Sequence, residues 1–128
     1  MIKIPDIICE IGLNHMGDPR YADEYLSELI KLRPYGITFQ IREKEYYETR
    51  KGLTLTDAYY RKTANKIHKS GIKLGFSVSA PEKLPFLKSI GVDFYKLLSK
   101  DLNNPEVARK LLKTGKPIYI STGLSSEK

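Results

Sequence analysis

The chain has 128 residues, 41% of them apolar, a formal net charge of +7 and a single cysteine. That length supports one domain around one hydrophobic core, and no run approaches the roughly 18 consecutive apolar residues of a membrane span. One cysteine excludes an intrachain disulfide, and Met1–Asp6 lacks the basic-then-apolar pattern of a signal peptide, so a cytoplasmic setting is expected.

Strand one is expected over Ile7–Ile11, an apolar run that carries the carboxylate of Glu10 before breaking into Gly12, Asn14, His15 and Gly17. Asp18 and Pro19 then read as the cap and first residue of a helix, with Ala22, Leu26, Leu29 and Ile30 at helical spacing and Pro34 as its stop. Strand two is expected over Ile37–Ile41. A charged segment, Arg42–Lys51, leads to Gly52 and a helix from about Thr56 that closes at Ser70-Gly71. Strand three is Lys73–Val78, and Pro81-Glu82 opens a short helix ending at Gly91. Strand four is Phe94–Leu98, and Asn104-Pro105 opens a helix ending at Thr114-Gly115. Strand five is Pro117–Ile120, followed by Ser121-Thr122-Gly123.

Five strand–helix units in order imply an α/β fold with a parallel sheet, closed either as an open doubly wound sheet or as part of an eight-stranded (β/α) barrel. No GxGxxG turn or Walker loop supports the nucleotide-binding sheets. Every expected strand places polar groups at its C-terminal end, where barrels carry their chemistry: Glu10, Asn14 and His15; Gln40 and Arg42; Ser77 and Ser79; Lys96, Ser99 and Asp101; Ser121 and Thr122. The barrel is therefore the preferred reading. The chain stops at Lys128, where a fifth helix would begin, so residues 1–128 are expected to supply about the first five units of the barrel. Such a piece is expected to be poorly stable alone, or oligomeric.

The surplus of positive charge points towards anions, either nucleic acid or metabolites bearing phosphate or carboxylate. Lysines such as Lys62, Lys66, Lys88, Lys110, Lys113 and Lys116 are scattered over expected outer helix faces and helix ends, which reads as a solvated surface. No aromatic–basic interleaving or nucleic-acid motif competes with that reading, so neither nucleic acid nor a membrane is an expected partner.

Several segments together resemble the sialic acid synthase family, which makes N-acetylneuraminate and related sugars of the legionaminic, pseudaminic and spore-coat types. They are Glu10–Gly17, Phe39-Gln40, Phe76–Pro81, Tyr95–Leu102 and Thr114–Gly123, in the family's order across nearly the whole chain. The resemblance implies a (β/α) barrel that condenses phosphoenolpyruvate with an N-acetylated aldose, giving a nine-carbon 2-keto sugar acid and phosphate. It also implies a divalent metal, manganese or magnesium, and a homodimer completed by an antifreeze-like domain. Neither that domain nor the second barrel half is present in the sequence. With only His15 and His68 available, the metal ligands cannot be identified in this chain.

By the same resemblance Lys96 binds the phosphate or carboxylate of phosphoenolpyruvate, with Ser99 and Ser121 as hydrogen-bonding hydroxyls. Asp101 is implied as an acid–base group near the attacking water or sugar. Glu10 is the stronger acid candidate, because a carboxylate within an apolar strand needs a specific partner; a structural ion pair with Lys96 is its alternative. Asn14 and Gln40 are implied to line the site, and His15 either to orient Glu10 or to line the sugar site. Cys9 reads as a small apolar filler. Two departures from the family pattern strike the same anion: Thr38 stands where a lysine is usual, and Ala80 where a threonine is usual. Arg42 shares a strand face with Thr38 and Gln40, and is expected to restore part of the lost charge; its alternative is a loop arginine held among Glu43 and Glu45. Two further readings stay open. One is an inactive or phosphosugar-binding remnant. The other is a different phosphate-handling aldolase or lyase using Lys96 as a Schiff base.

Overall fold

Alternation between a polar and an apolar face organises the strands. In a computed structural model that describes residues 6–126, they are β1 (Ile8–Gly12), β2 (Gly36–Ile41), β3 (Lys73–Val78), β4 (Phe94–Leu97) and β5 (Ile118–Ile120). All neighbouring pairs are parallel, in the order β1-β2-β3-β4-β5. Each strand lies beside its predecessor, which is the winding of a (β/α) barrel; a doubly wound sheet would reverse order at an internal strand. The expectation that left both closures open is thereby decided for the barrel type.

The helices are α1 (Pro19–Leu32), α2 (Lys44–Thr49), α3 (Asp57–Lys69), α4 (Leu84–Ser89) and α5 (Pro105–Leu112). Asp18, Thr56 and Asn104 cap α1, α3 and α5, each side-chain oxygen accepting from backbone N–H groups of the first turn. The structure adds α2 inside the charged segment that was expected to be a connector. It also starts the Pro81 helix with a 3-10 turn, Pro81–Lys83, before α4. Half of the strand ends differ from expectation by one residue: the ladder reaches Gly12 and Gly36, stops at Leu97, and starts at Ile8 and Ile118.

The core lies between the sheet and the helices. Ile11, Ile37, Phe39, Leu74, Phe76 and Leu97 meet Leu26, Tyr60, Ile67, Leu87 and Leu111 there. Phe39, Phe76 and Tyr60 form its aromatic centre, with ring centroids 5.3–5.9 Å apart. The other face of the sheet is polar towards its C-terminal end, where Gln40, Ser77, Lys96 and Tyr119 are successive register partners across β2 to β5. One row below lie Glu10, Thr38, Gly75 and Phe94.

Phe94 floors this inner face. Its ring is 1% exposed and lies across Gly36 and Gly75, where an added Cβ would come within 2.7 and 2.3 Å of ring atoms. The two glycines are therefore required by close approach. Gly17 is a second such case: its φ is +75°, and a Cβ there would fall 1.5 Å from the Gly52 carbonyl oxygen, so the β1–α1 loop is pinned against the α2–α3 loop.

Gly75→Ala should destabilise the fold by about 1–3 kcal/mol, because the new methyl meets the Phe94 ring and Thr38 on opposite sides. Gly123→Ala, which meets only the Ser99 hydroxyl at 3.8 Å, should be close to neutral. Urea unfolding of the two variants checks the contrast.

Candidate active site

Glu10 is carried to the inner face by strand alternation, in register with Thr38. The register to β2 shifts only after it, between Glu10 and Gly12, where β1 ends. There Glu10 Oε2 accepts from Lys96 Nζ at 2.5 Å, and Glu10 Oε1 lies 3.5 Å from the Ser77 hydroxyl. Glu10 and Lys96 come from β1 and β4, three strand spacings apart. On a flat sheet that is about 14 Å, beyond the comfortable reach of the two side chains. The pair closes because the sheet curls, and because only the short side chains of Thr38 and Ser77, both fully buried, lie beneath it.

The expectation of a buried Glu10 is corrected: its side chain is 40% exposed, against 18% for Lys96, because the inner face is open above the pair. The alternative of an ion pair with Lys96 is the arrangement found. Gln40 occupies the same face, in register with Ser77 and two strands from Lys96. Ser99 begins the 3-10 turn Ser99–Asp101 after β4, and Ser121 extends the β5 ladder by donating its N–H to the Leu97 carbonyl at 3.0 Å. The Ser99 hydroxyl faces Gly123, which brings both serine segments to one rim of the sheet.

Asp101 is not placed for proton transfer to a ligand. It is 5% exposed, and both its oxygens are engaged: Ser79 donates to Oδ2 at 2.7 Å and Lys100 to Oδ1 at 2.8 Å. Lys100 also bridges to Glu43 at 3.3 Å, and Glu43 takes two hydrogen bonds of 3.0 Å from Arg42. A chain of charges therefore ties the end of β2 to the turn after β4. It holds the Arg42 guanidinium on Glu43 and over the Tyr46 ring at 4.0 Å. Arg42 lies beyond the last β2 residue, so strand alternation no longer governs its direction. The expected compensation for the missing lysine is not formed; the alternative of a loop arginine on Glu43 is. Its guanidinium holds the Glu43 carboxyl down at about 2, well below the usual range.

Asn14 and His15 also differ from expectation. Asn14 turns back on its own strand, Nδ2 donating to the Ile11 carbonyl at 3.0 Å. His15 is fully buried beside Phe39, on the helix side of the sheet. Its Nδ1 accepts from the Gly17 N–H at 2.9 Å, which leaves the ring proton on Nε2, and burial holds its pKa below the usual imidazole value. It shapes the loop, and no hydrogen bond among the described residues joins it to Glu10. Cys9 is only half buried. Ala80 is 3% exposed and belongs to the core. Sequence reasoning missed Ser79, Lys100 and Glu43 as a connected group. Opposite charges flanking two strand ends were the available signal.

Among the described residues, no cluster of three His, Cys, Asp or Glu side chains could hold a metal ion. The donors present do not fit one: Glu10 is paired with Lys96, both Asp101 oxygens are hydrogen-bonded, and His15 is sealed inside the core.

Comparison with known proteins gives a consistent family. A model described as the NeuB family matches residues 20–128. A protein of Methanocaldococcus jannaschii is 34% identical over 93% of the chain, and human N-acetylneuraminate-9-phosphate synthase is 28% identical over 94%. The chain spans 38 and 39% of these two relatives, respectively. Among solved structures, the N-acetylneuraminic acid synthetase of Leptospira borgpetersenii superposes with a TM-score of 0.83 at 24% identity, over 98% of this chain and 50% of that one. The spore coat polysaccharide biosynthesis protein spsE of Bacillus subtilis superposes with a TM-score of 0.75 at 15% identity, over 91% of this chain and 36% of that one. These two likenesses establish the fold.

Two outcomes follow from the site's geometry. Thr38 Oγ1 is buried without a hydrogen-bond partner among the described residues, so Thr38→Val should raise stability by about 1 kcal/mol, read from urea midpoints. Glu43, whose folded pKa lies below the ordinary value of 4.5, stabilises the fold fully above that value and loses its contribution as the pH falls towards 2. The stability difference between wild type and Glu43→Gln should therefore shrink over that interval; a constant difference would contradict the charge chain.

Proposed function

The chain belongs to the NeuB family, and we propose on that footing that it contributes the first five strands of a barrel acting in the biosynthesis of sialic acid or a related surface sugar. The reaction we assign is condensation of phosphoenolpyruvate with an N-acetylated aldose, giving a nine-carbon 2-keto sugar acid and phosphate. The observation that carries this reading is the Glu10–Lys96 pair, held over Ser77 and beside Gln40 at the C-terminal end of the parallel strands.

In this reading Lys96 receives an anionic group of phosphoenolpyruvate. The incoming anion competes with Glu10 for the ammonium, so binding releases the carboxylate at the moment a ligand is present. Glu10 is then the group free to take or return a proton. Ser99 and Ser121 offer hydroxyls from the adjoining rim. Asp101 acts through position, fixing the Ser99 turn against Ser79 and the Glu43–Lys100 link. The divalent metal implied by family resemblance has no ligand set among the described residues, and no step is routed through one. A soluble cytoplasmic homodimer is part of the same proposal; among the described residues, no helix is long and apolar enough to cross a membrane.

A second reading, anion binding without catalysis, is favoured by the inner face itself, whose ammonium is already neutralised and whose neighbour at Thr38 carries no charge. A Schiff-base aldolase is disfavoured, since Lys96 donates to a carboxylate in the geometry of a charge pair.

Calorimetry with phosphoenolpyruvate on the full chain tests the common part of both readings. Lys96→Ala should weaken binding at least about tenfold, roughly 1.4 kcal/mol, while Thr38→Lys should strengthen it. Binding indifferent to Lys96→Ala would overturn the site. Release of phosphate with N-acetylmannosamine, measured with and without manganese, separates synthesis from binding alone.

A further inference from the structure

The lysines that look scattered in the sequence converge in space. Between α4 and α5, on the helix side of the sheet and away from the Glu10–Lys96 pair, lies a groove of about 880 Å³. Lys88, Lys110, Lys113 and Lys116 line it, against a single lining carboxylate, Glu82. Lys110 is paired with Glu106 at 2.8 Å, whereas Lys88, Lys113 and Lys116 form no ion pair among the described residues. The groove is apolar between these charges, where Leu84, Pro85, Val92 and Tyr95 line it. Tyr95 is 2% exposed, and its hydroxyl makes no hydrogen bond among the described residues. The ring is packed in the core while the residue lines the groove, which leaves its hydroxyl available to a ligand there.

Three features define what fits. The volume is that of a small-molecule site and not of a flat macromolecular contact. Several unpaired ammonium groups around one opening suit more than one negative charge, and lysine binds phosphate as a point charge from a flexible stem. The apolar surface between the lysines suits a ring or a short hydrocarbon, with the Tyr95 hydroxyl as a single hydrogen-bond donor inside it.

We propose that the α4–α5 groove is a binding site for a phosphorylated small molecule with an apolar or aromatic portion, of the nucleoside diphosphate class. The phosphates lie among Lys88, Lys113 and Lys116, and the ring rests over Pro85 and Val92 within reach of Tyr95. Such a site is separate from the one proposed for phosphoenolpyruvate and does not depend on it.

The test is a titration of the full ¹⁵N-labelled chain with adenosine diphosphate and, separately, with inorganic pyrophosphate. Adenosine diphosphate should shift the amides of Val92, Tyr95 and Lys113 while leaving Glu10 and Lys96 unmoved. Pyrophosphate should bind at the same lysines but several-fold more weakly, lacking the ring. The exposed double variant Lys113→Glu with Lys116→Glu should weaken adenosine diphosphate at least tenfold, and Tyr95→Phe about threefold, with circular dichroism unchanged. Equal affinity for the two probes, shifts confined to the inner face, indifference to the charge reversal, or no saturable binding at millimolar concentration would each overturn the proposal.

Discussion

One ion pair sets the terms for the inner face. Glu10 and Lys96 stand three strands apart, and they meet only because the sheet is curved towards them. The curvature has a local origin in side-chain size. Gly36 and Gly75 let the Phe94 ring lie flat at the lower end, and Thr38 and Ser77 keep the middle shallow enough for a lysine stem to cross. A side chain at Gly36 or Gly75 would run into the Phe94 ring. Glu10 itself faces inward by strand alternation, in register with Thr38, just before the register shifts at Gly12.

Two polar assemblies share the C-terminal edge of the sheet, and they do different work. The Glu10–Lys96 pair is open above and can exchange partners. The Arg42–Glu43–Lys100–Asp101–Ser79 chain is closed on itself, each charge meeting an opposite one before any ligand arrives. It ties the loop after β2 to the turn after β4, across the top of β3. That is why an acidic residue at the right place in a family pattern, Asp101, turns out to hold a turn in place rather than face the opening.

Much of the architecture was legible because it rests on local chemistry. Asp18, Thr56 and Asn104 announced helix starts through capping, and Gly71 a helix end, since those roles depend on a few neighbouring atoms. Lys96 was legible as one of the polar groups gathered at the strand ends, with its role implied by resemblance. What could not be read was anything needing two distant segments at once. Alternation carried Arg42 to the inner face on paper, but the strand ends at Ile41, and the side chain follows Glu43 and Tyr46 instead. His15 reads as a site residue in a loop full of polar groups, yet the loop folds it under, towards Phe39. The convergence of Lys88, Lys110, Lys113 and Lys116 depends on two helices packing side by side, which no spacing along the chain reports.

The sealed imidazole of His15 has a kinetic consequence. Its Nδ1 is occupied by the Gly17 amide, so the ring proton resides on Nε2, inside the core and without an acceptor among the described residues. Water reaches that proton only when the β1–α1 loop lifts from the sheet, and the loop is in turn pressed against Gly52. The lifetime of a single nitrogen-bound proton thus becomes a clock for the opening of the segment that presents Glu10, ticking at the rate at which this corner of the molecule breathes.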